Sequence, residues 1–198
     1  QVTSAILDKY FSPIISKTTD KFKTLYNEAK INLEIPFQDY LTNSYEKYSK
    51  IKTIIYGIEP KRLYDFFEIP FLRKGSDIIK PTTTRVLTEL SKFLIIEGSG
   101  GIGKSTLMKH LFLSELELKD YIPIFIELKD FNDEEHLDLE KLLLKKLNQF
   151  HNKFQEKYLD YALQSGCFLF LLDGYDELYS KNQKEFFKKL NDFCDKYP

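Results

Sequence analysis

The chain lacks the features that mark several large classes of protein. It has no tryptophan, two cysteines and three histidines in 198 residues. Cys167 and Cys194 fall in an apolar strand-like run and on the apolar side of a helical run, which fits core packing and not a disulfide scaffold or a metal site. His110, His136 and His151 show neither ligand spacing nor a nucleophile partner, so they are read as structural or solvated. Net charge is −1, and no basic field invites nucleic acid or an anionic membrane. No apolar stretch is long enough to span a bilayer, and the opening QVTSAILDKY has neither the basic region nor the apolar core of a signal peptide. Internal repeats and low-complexity tracts are missing too. The expected compartment is the reducing cytoplasm.

What is present begins with FLIIEGSGGIGKST, residues 93–106. Gly98, Ser99, Gly100, Gly101, Ile102, Gly103, Lys104, Ser105 and Thr106 make a complete phosphate-binding loop, G-x-x-x-x-G-K-S. Glycines let the backbone curl so that its N–H groups face phosphate oxygens, the lysine reaches the terminal phosphates, and the serine hydroxyl ligates Mg²⁺. Residues 93–96 are an apolar run suited to a buried strand, and Leu107, Met108, Leu111 and Phe112 follow at helical spacing. Such a loop aims a helix N-terminus at the phosphates. The expected ligand is a nucleoside triphosphate.

Upstream, residues 1–57 read as a helical N-terminal region or linker. Phe22, Leu25, Tyr26, Ala29 and Leu33 form one stripe, and Leu41, Tyr45, Tyr48, Ile51 and Ile55 another, with Pro36 expected to part them. Residues 58–92 read as an irregular connector punctuated by Pro60, Pro70, Gly75 and Pro81, ending in a short helix over 82–91. Residues 93–198 then alternate strands with helices. Strands are expected over 121–128 and 168–172. Asn132 and Glu135 are spaced as a capping box for a helix striped by Leu139, Leu142, Leu143, Leu147 and Phe150. Phe186, Phe187, Leu190 and Phe193 mark a last amphipathic helix. That alternation predicts an α/β fold with a parallel sheet and flanking helices.

The run CFLFLLDGYDEL supplies the loop's acidic partner. Asp173, ending an apolar strand, is placed to hold Mg²⁺, and Asp176 or Glu177 is placed to act as general base on the attacking water. Many P-loop ATPases put the second acid directly after the first; here Gly174 intervenes.

The spacing D-G-aromatic-D-E-L resembles the NACHT domains of STAND-class P-loop NTPases, the signalling switches of NOD-like receptors and their bacterial counterparts. IPIFIELKDF, residues 122–131, and residues 51–72 are similar to the second strand and the pre-loop segment of bacterial members, so the resemblance covers roughly 51–198. It implies that 93–198 are the N-terminal part of a NACHT-like domain, with phosphates on Gly98 to Thr106, Mg²⁺ on Ser105 and Asp173, and Asp176 ahead of Glu177 as hydrolytic carboxylate. It also implies that residues 64–72 line the adenine pocket. In the family's topology a sensor strand lies between the loop strand and the Asp173 strand, and its absence here leaves the sheet incomplete. With no initiator methionine and an end just past a helical pattern, the chain is expected to be a segment of something longer, poorly active when isolated.

The expected function is Mg-dependent binding and slow hydrolysis of ATP as a conformational switch for homo-oligomerisation and signalling, in antiviral or innate-immune-type defence. The trigger ligand and effector are expected outside this segment. The guanine-reading motif Asn-Lys-x-Asp does not occur, which favours ATP over GTP. Two other readings stand beside it. A mechanochemical ATPase acting on nucleic acid predicts basic patches and an adjacent Asp–Glu pair after the strand. A structural nucleotide binder predicts binding without turnover.

Overall fold

The computed structural model describes residues 2–15, 20–51, 60–132, 138–149 and 156–197. In chain order the elements are α1 (Val2–Ile15), α2 (Asp20–Tyr48), β1 (Lys50–Ile51), β2 (Lys61–Arg62), β3 (Leu72–Lys74), β4 (Asp77–Ile79), α3 (Thr84–Thr88), α4 (Lys104–Leu118), β5 (Ile122–Glu127), α5 (Leu139–Asn148), α6 (Glu156–Gln164), β6 (Phe168–Asp173) and α7 (Ser180–Lys196). Short 3-10 turns occupy Leu63–Asp65, Leu128–Phe131 and Tyr175–Glu177. These elements gather into two units, Gln1–Thr42 with Lys119–Pro198, and Asn43–Leu118.

The first unit is built on β5 and β6, paired in parallel from Ile122↔Phe168 to Glu127↔Asp173. Parallel neighbours need a long crossover, and α5 and α6 supply it. Ile122, Ile124 and Ile126 on one face of β5 and Pro123 and Phe125 on the other are all buried, as expected for a strand covered on both faces. Its outer edge is covered as well: the Phe125 N–H donates to the Tyr40 hydroxyl at 2.9 Å. A residue of α2 thereby satisfies a backbone donor that an open edge would leave unpaired. By contrast β6 buries only Leu171 fully and, among the described residues, pairs with β5 alone. Phe37 and Phe193 pack edge-on against Phe168 and Phe170, with ring centroids 5.2 and 5.3 Å apart.

Two helical expectations need correction in this unit. Helix α2 runs straight through Pro36. An interior proline costs about 3 kcal/mol through its lost hydrogen bond and its clash with the preceding turn. Leu33, Phe37 and Tyr40 around it are buried, and at roughly 1.5–3 kcal/mol per fully buried large side chain they outweigh the break. The side chains of Phe22, Leu25, Tyr26 and Ala29 lie outside the described residues. Helix α5 is capped by Asp138, whose carboxylate accepts the Lys141 N–H at 3.0 Å, not by Asn132; Glu135 lies outside the described residues. The stripe Leu139, Leu142, Leu143 and Leu147 is buried as expected, while Phe150 is outside the description. Burial pushes the Cys167 thiol up to about 12, which leaves it an inert core residue.

The second unit is organised around α4, whose Leu107, Leu111 and Phe112 are buried. Helix α2 stops at Tyr48, which packs edge-on against Phe112 at 5.1 Å. The helical stripe therefore does not reach Ile51, which pairs with Lys61 in the β1–β2 ladder. Ile55 is outside the described residues. The connector is more regular than expected, because Leu72–Lys74 and Asp77–Ile79 form an antiparallel hairpin around Gly75 and Ser76. Gly75 sits at φ +62°, the left-handed position a two-residue hairpin turn requires. The strand expected over residues 93–96 is not formed; Phe93 and Ile95 are 59% and 77% exposed. A strand is held by its ladder, and no neighbouring strand among the described residues offers this segment one.

Candidate functional site

The phosphate loop lies in the Asn43–Leu118 unit. Gly101 and Gly103 take φ of +77° and +96°, a region that costs a residue with a Cβ roughly 1–2 kcal/mol. At Gly98 a Cβ would come within 3.2 Å of the Ile102 side chain. The curl delivers Lys104 as the first residue of α4, and its ammonium turns back to donate to the carbonyls of Gly98 at 2.7 Å and Ser99 at 3.1 Å. The loop is thus wound around its own lysine. Ser105 and Thr106 follow in the first turn of α4, where backbone N–H groups have no partner within the helix and the helix dipole favours an anion.

Behind the loop, α4 carries two buried polar side chains that hold the connector. The Nε2 of His110 lies 3.2 Å from the Pro81 carbonyl and 3.1 Å from the Thr82 carbonyl. Carbonyls only accept, so Nε2 carries the proton, and Nδ1 accepts from the Tyr64 hydroxyl at 3.0 Å. Burial holds the His110 pKa below its ordinary value, opposed by the two carbonyl bonds and the charge of Glu117. One turn further on, the Thr84 hydroxyl donates to the buried Glu115 carboxylate. His110 is structural, as the sequence suggested, and its task is specific: it ties segments 64–67 and 81–84 to the helix that starts at Lys104.

The acidic candidates lie in the other unit, at the carboxyl ends of β5 and β6, where ligands of parallel α/β sheets bind. Asp173 ends β6, in register with Glu127 at the end of β5. Gly174 then turns the chain at φ +79°, and Asp176 and Glu177 sit exposed on the Tyr175–Glu177 turn. The glycine has a second reason. A Cβ at position 174 would stand 3.2 Å from the Glu177 carboxyl group, which lies back over it. The spacing between the first acid and the pair thus follows from one left-handed residue under a folded-back glutamate.

An aromatic cluster and an asparagine brace this turn. The Tyr175 ring packs against Phe187 and Phe186, with centroids 5.0 and 6.4 Å apart, and Phe186 in turn meets Phe131 at 5.6 Å. The Asn132 amide donates to the Glu177 carbonyl at 2.8 Å, while its carbonyl accepts the Tyr179 N–H at 2.9 Å. Lys129 bonds Glu127 at 2.6 Å; that contact chiefly raises its pKa, and the charges of Glu177 and Asp130 add to it. The sequence marks Asn132 as a helix cap and not as part of this turn, because nothing local signals a partner 45 residues away. A cleft of about 190 Å³ lined by Glu140, Leu144, Asp160 and Lys196 contains none of the candidate site residues.

The class follows from the parallel strands ending in acids and the glycine loop opening a helix: a P-loop nucleoside triphosphatase fold. A sequence model of the NACHT domain matches residues 92–196, more than half of the chain, and the protein belongs to the NACHT family. Membership makes it a nucleotide-binding NTPase of the P-loop type. Comparison with the curated proteins and with the solved structures finds no match. Among the described residues no helix is long and apolar enough to cross a membrane.

Proposed function

We propose that the chain binds ATP with Mg²⁺, hydrolyses it slowly, and uses the bound nucleotide as a switch for self-assembly and signalling. The observation that carries this reading is the loop wound around Lys104, with the ammonium held by two carbonyls of the loop itself. Phosphate oxygens are stronger partners for an ammonium than neutral carbonyls. Nucleotide binding then moves Lys104 from Gly98 and Ser99 onto phosphate, and the amides of residues 98–106 close around the same group.

The donor set fits Mg²⁺. A hydroxyl at Ser105 and a carboxylate at Asp173 are hard oxygen ligands, and Mg²⁺ in such sites takes one or two protein groups with phosphate oxygens and water. No cluster of three His, Cys, Asp or Glu side chains among the described residues offers a cage of its own. When bound, the ion supplies charge neutralisation at the transferring phosphates. Asp176 is the first candidate to orient and deprotonate the attacking water, and Glu177 the second. A nucleotide that binds one conformation of the loop more tightly than another shifts the population toward it, which is what a switch requires. The sequence resemblance of residues 51–72 and 122–131 to bacterial NACHT domains supports a role in antiviral or immune-type defence.

The test is nucleotide binding, turnover and assembly state in the full chain beside Lys104→Ala and Asp176→Ala. Binding and assembly lost in the first, and turnover alone lost in the second, are the expected pattern. Turnover that is fast, stimulated by DNA or RNA and unaccompanied by assembly would replace the switch with a motor.

A further inference from the structure

We infer that Asn132 is a positioning residue for hydrolysis, acting through the backbone of the acidic turn and not through substrate; this rests on the roles proposed above for Asp176 and Glu177. A carboxamide both donates and accepts from a single planar group. Here it uses both capacities on one short stretch of backbone, Nδ2–H to the Glu177 carbonyl and Oδ1 from the Tyr179 N–H. Only one of the two amide orientations satisfies both partners, so the ring of bonds defines its own geometry.

The clamped stretch has few backbone bonds of its own, and its packing comes from the Tyr175 ring and buried Leu178. Asp176 and Glu177 are exposed, and the turn that carries them is a single 3-10 turn closed by backbone bonds from Glu177 to Gly174 and from Leu178 to Tyr175. Upstream it departs from the sheet through left-handed Gly174, and downstream it enters α7 at Tyr179, which provides no side-chain cap. Asn132 grips the chain between those two points. Its own backbone is fixed in turn: the Asn132 N–H donates to the Lys129 carbonyl at 2.9 Å, and the preceding Phe131 is buried against Phe186. The turn that follows β5 thereby sets the orientation of acids that follow β6. A displacement of about 1 Å in a catalytic group costs up to 100-fold in rate, so the clamp has a kinetic signature distinct from a fold contact.

The experiment compares wild type, Asn132→Ala and Asn132→Asp in the full chain, reading ATP affinity, kcat with Mg-ATP, and hydrogen exchange at the Tyr179 amide. Alanine removes both bonds. Aspartate keeps the shape and the acceptor for Tyr179 but loses the donor to Glu177. The expected result is a kcat lower by about 10- to 100-fold in alanine, a smaller loss in aspartate, and ATP affinity within about twofold of wild type. Exchange at Tyr179 should quicken in alanine while β6 stays protected. An alanine variant with wild-type kcat overturns the inference, even if exchange quickens, because the clamp is then only a fold contact. Should alanine fail to fold, aspartate with wild-type kcat overturns it equally. A wild type that binds ATP without turning it over sinks the assignment of Asp176 and Glu177 and this inference with it. Turnover in wild type with no response to Asn132 sinks this inference alone.

Discussion

The phosphate loop and the acidic turn are held in opposite ways. The acidic turn is fastened by its surroundings: a left-handed glycine beneath Glu177, an asparagine clamp, and the rings of Tyr175, Phe186, Phe187 and Phe131. The phosphate loop is fastened by itself, through Lys104 and the carbonyls of Gly98 and Ser99, and is entered by residues 93–96 in no regular structure. Carboxylates that orient water must be aimed before the reaction, and a scaffold does that. A loop that wraps a phosphate gains most when the ligand completes it, because the free energy of ordering then depends on occupancy. The switch proposed above draws on one element of each kind.

The largest expected effect is on the acidic turn. Phe186→Ala removes a buried ring that touches both Phe131 and Tyr175, and should cost about 3–5 kcal/mol in chemical denaturation. A loss under about 1 kcal/mol would mean that the aromatic cluster is not what braces the turn. Lys104→Ala is expected to weaken ATP binding about 100-fold, near 2.7 kcal/mol, measured by calorimetry. Because the loop closes around that ammonium, the variant should also loosen residues 98–103 without nucleotide. Gly174→Ala pays roughly 1–2 kcal/mol for its left-handed backbone and pushes on the Glu177 carboxyl group. Turnover should fall with ATP affinity retained; equal loss of both would blur the distinction between loop and turn.

The smallest effect is a pH dependence in the loop's unit. His110 has a folded pKa below its ordinary 6.5, so the unfolded chain takes up the proton first. Stability from this residue is complete above pH 6.5, drains as pH falls below it, and stops changing once the folded pKa is passed. The slope cannot exceed about 1.4 kcal/mol per pH unit for one proton. Tyr64, the Pro81 and Thr82 carbonyls and Glu117 are the polar groups that bear on the imidazole. Equilibrium unfolding of wild type against His110→Asn between pH 5 and 7.5, a range about the imidazole value, should show the extra slope only in wild type.

Much of this arrangement was legible in the residues because its signals are local. A glycine-rich run before a helix pattern announces the loop, six apolar-rich residues ending in Asp173 announce a buried strand, and a leucine stripe announces α5. The failures are non-local. Pro36 was given its usual weight as a helix breaker, but the burial of Leu33, Phe37 and Tyr40 around it is a tertiary fact. Residues 93–96 have strand composition and no ladder, since a strand exists only with its neighbour. Asn132 carried the mark of a helix cap, and its partners lie beyond β6. The hairpin at Gly75–Ser76 is a different case: its Gly-Ser turn is a local signal, set in a stretch whose prolines read as an irregular connector.

The most direct measurement is hydrogen exchange across the full chain, with and without Mg-ATP, beside Lys104→Ala. The account predicts a large gain in protection over residues 93–106 on nucleotide binding, a small change over residues 173–179, and neither in the variant. Unchanged exchange over residues 93–106 in the presence of saturating nucleotide, or a gain confined to residues 173–179, would contradict a ligand-completed loop set against a preformed acidic turn.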